Sequence, residues 1–181
     1  MRPAFDKEFG TVTAGNSSQI TDGAVALLVM EVERARELGL APRGALVDYA
    51  VAGCDPSRMG LGPLFAMARL EKRSSLSLND ADLIEVNEAF AAQTLAVIQG
   101  AASAEFARQH LDRETPLGAI LHDKLNVNGG AIALGHPVGA SGARLVLASL
   151  KELQRRQARR ALVSACVGGG QGAALWLERI T

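Results

Sequence analysis

The fold is decided by residues 139–177, which read GASGARLVLASLKELQRRQARRALVSACVGGGQGAALWL. The first part, residues 139–156, predicts a helix because its apolar residues recur at helical spacing on one face. That face consists of Ala143, Leu145, Val146, Leu150 and Leu153. Two apolar runs follow, residues 161–167 and 173–177, and each predicts a strand. The glycine-rich turn at residues 168–172 joins them, so this region predicts a helix packed on a sheet.

The same alternation extends towards the N-terminus. Apolar runs of strand length occur at residues 24–30, 45–52 and 82–86, and segments with helical spacing occur at residues 31–38, 63–73 and 88–99. Alternating strands and helices indicate an α/β fold with a mostly parallel mixed sheet covered by helices.

Composition excludes several classes of protein. The chain has 181 residues, of which 48% are hydrophobic and 21% charged, so it is long enough and apolar enough for a real core. Lys plus Arg and Asp plus Glu both number 19, a balance that indicates no nucleic acid partner. Two cysteines exclude a disulfide framework. No signal-peptide pattern is present and no apolar run has the length of a transmembrane segment, so we expect a cytoplasmic location.

Two polar motifs stand where a strand gives way to a helix. Asn87 follows the strand at residues 82–86, a position where α/β proteins bind ligands, although Asn is also a common helix N-cap. His136 precedes the helix at residues 139–156, where the positive end of the helix dipole opposes a charged imidazole. A neutral histidine can accept a proton or stabilise an oxyanion.

Cys166 ends a strand and is followed by three glycines, whose bare N–H groups can stabilise an anion. A lone cysteine is more commonly buried and inert, and the glycine run favours the functional interpretation. Cys54 has no such setting, and we take it as structural. No Cys/His spacing typical of a zinc site occurs, and the glycines at residues 168–172 precede a strand, which excludes a dinucleotide fingerprint.

Five motifs in order resemble those of the thiolase family. They are TVTAGNSS at residues 11–18, MGLGP at 59–63, NEAFAAQ at 87–93, NVNGGAIALGHP at 126–137 and CVGGGQG at 166–172. The resemblance covers essentially the whole chain. It implies an acyltransferase that cleaves or forms 3-oxoacyl-CoA by Claisen chemistry, with coenzyme A as a substrate and no separate cofactor or metal.

The resemblance also implies a role for each motif. His136 would activate the nucleophilic cysteine of the family and share the first oxyanion hole with a water held by Asn87. Cys166 would be the acid/base, and the N–H of Gly168 would contribute to a second oxyanion hole. We expect the pKa of the Cys166 thiol to lie below its ordinary value of about 8.5. The residues that match positions lining the pantetheine arm of CoA are Ser18, Met59, Ala89 and Phe90.

By the same resemblance, residues 1–40 correspond to the closing loop, strand and helix of the N-terminal thiolase half, and residues 41–181 to the C-terminal thiolase domain. Neither cysteine matches the motif of the nucleophile. We therefore expect no turnover from this chain alone, which would be a truncated piece or one subunit of a split enzyme. The expected partners are the missing N-terminal half or sister subunit, further copies in a homo-oligomer, and a hydratase/dehydrogenase.

Alternatives remain at this point. A non-catalytic CoA- or acyl-CoA-binding module is one, although pure binding requires no acid/base thiol. A β-ketoacyl synthase relative is another, although that family typically uses two histidines with its cysteine. The length of residues 99–125 resembles fatty-acid β-oxidation thiolases, whereas Asn87 and the NGG at residues 128–130 resemble biosynthetic ones. Acyl chain length and reaction direction therefore stay open.

Overall fold

The computed structural model describes residues 1–180. It contains four strands: β1 (Ala45–Gly53), β2 (Leu83–Val86), β3 (Arg160–Val167) and β4 (Gln171–Glu178). The helices are α1 (Val32–Glu37), α2 (Gly62–Ser74), α3 (Ala91–Ala102), α4 (Ala104–His110), α5 (Ala131–Leu134) and α6 (Val138–Arg156). Short 3₁₀ turns occupy Ala14–Asn16, Pro56–Leu61 and Leu78–Asp80. The predicted alternation of strands and helices from residue 45 onwards is confirmed.

The strands form one mixed sheet in the order β1-β4-β3-β2. β2 pairs with β3 in parallel, whereas β4 pairs antiparallel with both β3 and β1. The sheet is therefore mixed, as predicted, but not mostly parallel. The reason is local: the turn at residues 168–170 is too short for a crossover, so β3 and β4 must form an antiparallel hairpin.

Helices cover both faces of the sheet because both faces are apolar. On one face, Leu162 and Trp176 pack against α2 and α3 through a large buried cluster. On the other face, Leu83 and Val163 pack against Leu145 of α6 in a second cluster. Side chains alternate between the two faces along each strand. Glu85, two residues after Leu83, therefore lies on the side of α6.

The start of α2 lies directly on β4. A Cβ atom added to Gly172 would overlap the carbonyl oxygen of Gly62, and one added to Gly62 would overlap the carbonyl of Gln171. Both positions require glycine because the two backbones are in contact.

The predicted strand at residues 24–30 is wrong. This stretch has no regular secondary structure, and Leu28 and Val29 are 77% and 79% exposed. A strand requires a neighbour for its N–H and C=O groups, and none of the strands within residues 1–180 pairs with this stretch.

An apolar patch lies on β1. Leu46, Val47, Tyr49 and Val51 are exposed large side chains, with Tyr49 56% exposed. β1 is the edge strand of the sheet. Helix α2 packs on the opposite face, where Ala50 is buried, and its Arg73 reaches over the ring of Tyr49. Across residues 1–180, no helix combines the length and the hydropathy that crossing a bilayer requires.

Candidate active site

Asn87 directly follows the buried strand β2, and its position is fixed by the neighbouring strand. Its N–H donates to the carbonyl of Ser164 in β3 over 2.9 Å, and the residue is 1% exposed. The helix that follows begins only at Ala91, with Phe90 as its N-cap. The interpretation of Asn87 as a helix cap is therefore wrong, and its carboxamide is available for another purpose.

That carboxamide contacts His136, whose segment is held from two sides. The distance between Asn87 Nδ2 and His136 Nε2 is 3.3 Å. The N–H of His136 donates to the carbonyl of Gln19 over 2.9 Å. The structure thus brings together two of the predicted catalytic side chains, which lie 49 residues apart in sequence.

Ser141, in the first turn of α6, sets the tautomer of the imidazole. Its hydroxyl donates to the carbonyl of Pro137 over 3.1 Å, which uses its single hydrogen. The Oγ of Ser141 lies 2.6 Å from His136 Nδ1 and must therefore accept from that nitrogen. Nε2 is left with a lone pair, and Asn87 Nδ2 donates to it. A neutral imidazole in this tautomer can accept a proton at Nε2.

The environment of His136 keeps the ring neutral. Burial lowers the pKa of His136, and the nearby positive charge of Arg144 lowers it further. The direction agrees with the sequence prediction. The causes are burial and Arg144, rather than the helix dipole alone.

Cys166 lies two residues beyond Ser164 on β3, and so lies close to the end of β2. Its thiol is free and partly buried. Burial raises the pKa of Cys166, a backbone hydrogen bond opposes this, and the neighbouring Cys54 raises it further. The expectation of a lowered thiol pKa is therefore wrong, because no cation faces the sulfur strongly enough to offset burial. The shift favours the protonated thiol.

Gly168 lies at the exposed tip of the turn after Cys166. Gly169 and Gly170 follow, both with φ of +89°, which bends the turn back into β4. The carbonyl of Gly170 accepts from the N–H of Cys54 over 2.8 Å. The turn is thus tied to the end of β1.

The residues predicted to line the CoA arm lie around the start of α3. The N–H of Ser18 donates to the carbonyl of Ala89 over 3.0 Å. Phe90 forms a bridge with Ser17 and packs edge-on against Phe5 at a centroid distance of 5.9 Å. Met59 lies in the turn Pro56–Leu61, which contacts both α3 and β3. All four candidates therefore adjoin the strand ends that carry the polar residues.

Three residues of the site have no predicted role from the sequence. They are Ser141, Asn126 and Glu88. Ser141 fixes the imidazole tautomer, and Asn126 binds the backbone of Val86, directly before Asn87. Glu88 accepts from the side chain of Asn126 and from the N–H of Ile132. Glu88 and Asn126 lie inside quoted motifs, and Ser141 lies in the first turn of the predicted helix, five residues after His136; those locations were the available signals. Their hydrogen-bond partners are set by the fold and cannot be read from spacing.

Asn87 Oδ1 is buried and has no hydrogen-bond partner within residues 1–180. A buried carbonyl oxygen of this kind requires a donor, and an ordered water meets that need. Two clefts, of about 390 and 880 Å³, are lined by neither His136 nor Cys166. No cluster of three or more His, Cys, Asp or Glu side chains in the described part of the chain could hold a metal ion.

This α/β domain, with a neutral histidine held by a buried asparagine and a thiol on the adjacent strand, has the features of an acid/base site. The family profile described as Thiolase, C-terminal domain, matches residues 40–179. A second profile, Thiolase, N-terminal domain, matches residues 1–33. The chain belongs to the thiolase family.

Relatives of known name support this assignment across the chain. An acetyl-CoA acetyltransferase of Chromobacterium violaceum is 48% identical over 179 residues, which are 99% of this chain and 41% of that protein. A 3-ketoacyl-CoA thiolase of Idiomarina loihiensis is 46% identical over 180 residues, 99% of this chain and 43% of that protein.

Solved structures of similar proteins agree with the assignment to the thiolase family. The Bacillus anthracis acetyl-CoA acetyltransferase superposes with a TM-score of 0.86 at 43% identity, over 99% of this chain and 41% of that one. Human mitochondrial 3-ketoacyl-CoA thiolase in complex with CoA gives a TM-score of 0.85 at 45% identity, over 100% and 41%. This chain thus spans about two-fifths of the length of the relatives that it matches.

Proposed function

We propose that the chain forms the acid/base half of an acyltransferase of the thiolase type. The reaction is cleavage of a 3-oxoacyl-CoA by coenzyme A, or the reverse Claisen condensation. The contact between Asn87 Nδ2 and His136 Nε2 carries the proposal, because Ser141 leaves Nε2 as the proton acceptor. In this proposal the nucleophilic cysteine comes from an N-terminal thiolase half.

The first half-reaction uses His136 as a base. Nε2 takes the proton of the nucleophilic thiol, and the sulfur forms a bond to C3 of the 3-oxoacyl-CoA. His136 and a water on Asn87 Oδ1 stabilise the oxyanion. The C2–C3 bond then breaks, which leaves the acyl group on the sulfur and the electron pair on C2 of acetyl-CoA. The thiol proton of Cys166 goes to C2.

The second half-reaction returns the groups to their starting states. The thiol of coenzyme A gives its proton to the Cys166 thiolate and attacks the acyl group. The N–H of Gly168 donates to the oxyanion that forms, and the nucleophilic sulfur leaves and recovers its proton from His136. The raised pKa of Cys166 supports this order, because thiolysis requires its thiol to start protonated.

The surroundings of the substrate follow from the same assignment. Ser18, Met59, Ala89 and Phe90 line the pantetheine arm, and coenzyme A is a substrate, with no separate cofactor or metal. The proposed domain division is residues 1–40 for the part that corresponds to the N-terminal half and 41–181 for the C-terminal domain. In the cell we propose a cytoplasmic role in fatty acid β-oxidation, with a hydratase/dehydrogenase as partner.

A chimera tests the proposed function. This chain replaces the matching 179 residues of the Chromobacterium violaceum acetyl-CoA acetyltransferase, to which it is 48% identical. Cleavage of acetoacetyl-CoA by coenzyme A is then measured. We expect turnover from the chimera and none from this chain alone. A folded chimera without turnover, together with tight CoA binding by this chain in calorimetry, would overturn the proposal in favour of a CoA-binding module.

We propose that the full enzyme is a homo-oligomer, and we expect the chain alone to self-associate through the apolar patch of β1. Contiguous exposed apolar surface on an edge strand favours association. Sedimentation should give a concentration-dependent mass above 18.9 kDa. The double variant Tyr49→Asp, Val51→Asp should sediment as a monomer, whereas Lys72→Asp on α2 should behave as the unmodified chain. A monomer at all concentrations would contradict the expectation.

A further inference from the structure

We propose that Asn126 and Glu88 are positioning residues that hold Asn87 against His136. The inference rests on the proposed function for its catalytic meaning, but the contacts are independent of it. Both residues lie beside the end of β2: Glu88 directly follows Asn87, and Asn126 lies in the segment that leads to His136.

On its outer side, β2 pairs at Ile84 with the segment around Leu125. The N–H of Ile84 donates to the carbonyl of Lys124, and the N–H of Asn126 donates to the carbonyl of Ile84, each over 2.9 Å. Beyond that point the chain turns away, because Asn126 has a φ of +44°. Asparagine tolerates this left-handed conformation better than most residues. The backbone of Val86 is thereby left without a backbone neighbour on this side.

The side chain of Asn126 replaces the missing backbone. Its Oδ1 accepts from the N–H of Val86 and its Nδ2 donates to the carbonyl of Val86, both over 2.9 Å. A primary amide has the same donor and acceptor as a peptide group. Asn126 therefore acts as one additional strand residue, and it fixes the backbone immediately before Asn87.

Glu88 extends this connection to the segment of His136. The second hydrogen of Asn126 Nδ2 donates to Glu88 Oε1 over 2.8 Å. Glu88 Oε2 faces the N–H of Ile132, at 3.4 Å, in the short helix α5. A Cβ atom on Gly130 would overlap the Glu88 carboxylate, so that glycine makes room for it. The carboxylate thus links the backbone of Asn87 to the segment that ends at His136.

The 3.3 Å contact between Asn87 Nδ2 and His136 Nε2 depends on this connection through Asn126 and Glu88. Donation to Nε2 favours the neutral imidazole. When the connection is lost, Asn87 shifts and the pKa of His136 should rise, while burial and the charge of Arg144 continue to act on the ring. A purely structural role would lower the thermal midpoint and leave the titration of His136 unchanged.

The first test is nuclear magnetic resonance titration of the full chain, with the His136 signal assigned by its absence in His136→Asn. Asn126→Asp keeps the shape but replaces both amide hydrogens by an oxygen that faces Glu88. We expect the midpoint of His136 to rise by about 0.5 to 1 pH unit. In Asn126→Asp, Glu88→Gln, the glutamine amide can donate to the new carboxylate. This restores the link to residue 88 but not the donor to the Val86 carbonyl, so the midpoint should return only part of the way to the original value.

A control variant and a kinetic measurement accompany the titration. Asn79→Asp, at an exposed asparagine, is the control and should leave the His136 midpoint unchanged. Glu88→Gln is a second variant that should raise the midpoint by itself, and it replaces Asn126→Asp if that variant does not fold. In the chimera, Asn126→Asp should lower kcat by about 10²-fold with KM unchanged. A folded variant of either residue with an unshifted His136 midpoint would overturn the proposal. A shifted midpoint in an inactive chimera would refute only the proposed function.

Discussion

Replacement of His136 by Asn in the chimera is expected to lower kcat for acetoacetyl-CoA cleavage by about 10³-fold or more. General acid/base catalysis contributes about 10²- to 10⁴-fold, and one oxyanion donor about 10²- to 10³-fold. His136 has both roles in the proposed mechanism, and asparagine supplies no base. The measurement is the steady-state rate of the chimera and its variant, with circular dichroism to show that both fold.

His122→Asn is the matched control, because His122 is an exposed histidine in a loop of the same domain. It should leave kcat within the error of the unmodified chimera. Retention of more than about one-tenth of the activity by His136→Asn would be too much for a residue with these two roles.

Glu85→Gln is expected to remove a large pH dependence of stability. Burial raises the pKa of Glu85 to about 7, the charge of Arg144 opposes this, and Glu88 and Glu152 raise it further. The residue is 4% exposed and lies on the side of α6, near Arg144 and Glu152. Since its folded-state pKa lies above its unfolded value, the folded state binds the proton more tightly. Its contribution to stability is complete below pH 4.5 and is lost as pH rises through about 7.

The shift in the pKa of Glu85 determines how much the free energy of unfolding changes with pH. A change from 4.5 to about 7 corresponds to about 3 kcal/mol of unfolding free energy. Urea unfolding at pH 5 and pH 8 measures it. Relative to the unmodified chain, Glu85→Gln should be about 2.5 kcal/mol more stable at pH 8 than at pH 5, since pH 5 lies slightly above the unfolded-state pKa of 4.5.

Comparison of the two chains at each pH cancels the contribution of carboxylates that titrate independently of Glu85. Glu152 interacts with Glu85, but hydrogen bonds from Arg155, Asn128 and Arg156 hold its pKa at about 2, well below pH 5, against the effect of burial. Its contribution is lost only in strong acid. Glu114→Gln, at an exposed loop position, should not alter the difference between pH 5 and pH 8. An equal difference in Glu85→Gln and Glu114→Gln would contradict the assignment.

Local patterns predicted the elements that pack on the core. The helix predicted at residues 139–156 is α6, and the runs at 161–167 and 173–177 are β3 and β4. These predictions succeeded because burial of an apolar face decides both structure types. The strand prediction for residues 24–30 used the same criterion and was wrong, because an apolar run contains no information about whether a neighbouring strand exists.

The sequence motifs named the candidate residues and predicted the direction of the His136 pKa shift, but they did not predict the direction for Cys166. Asn87, His136 and Cys166 each stand at a junction or beside a glycine run, which is a property of sequence. The pKa of Cys166 depends on how much protein surrounds the sulfur, and no motif reports that. The hydrogen bonds from Asn126 to Val86 join residues 40 positions apart, so they follow only from the fold.

The contact between Gly62 and Gly172 limits how this chain can vary. Neither residue carries a reactive group, yet a single methyl group at either position would have to lift α2 from β4, because backbone lies on both sides of the contact. A lifted helix would also disturb the preceding turn that carries Met59. In a randomised library, folded variants should therefore keep glycine at both position 62 and position 172. The distance between the two backbones, rather than any chemical role, limits substitution at these positions.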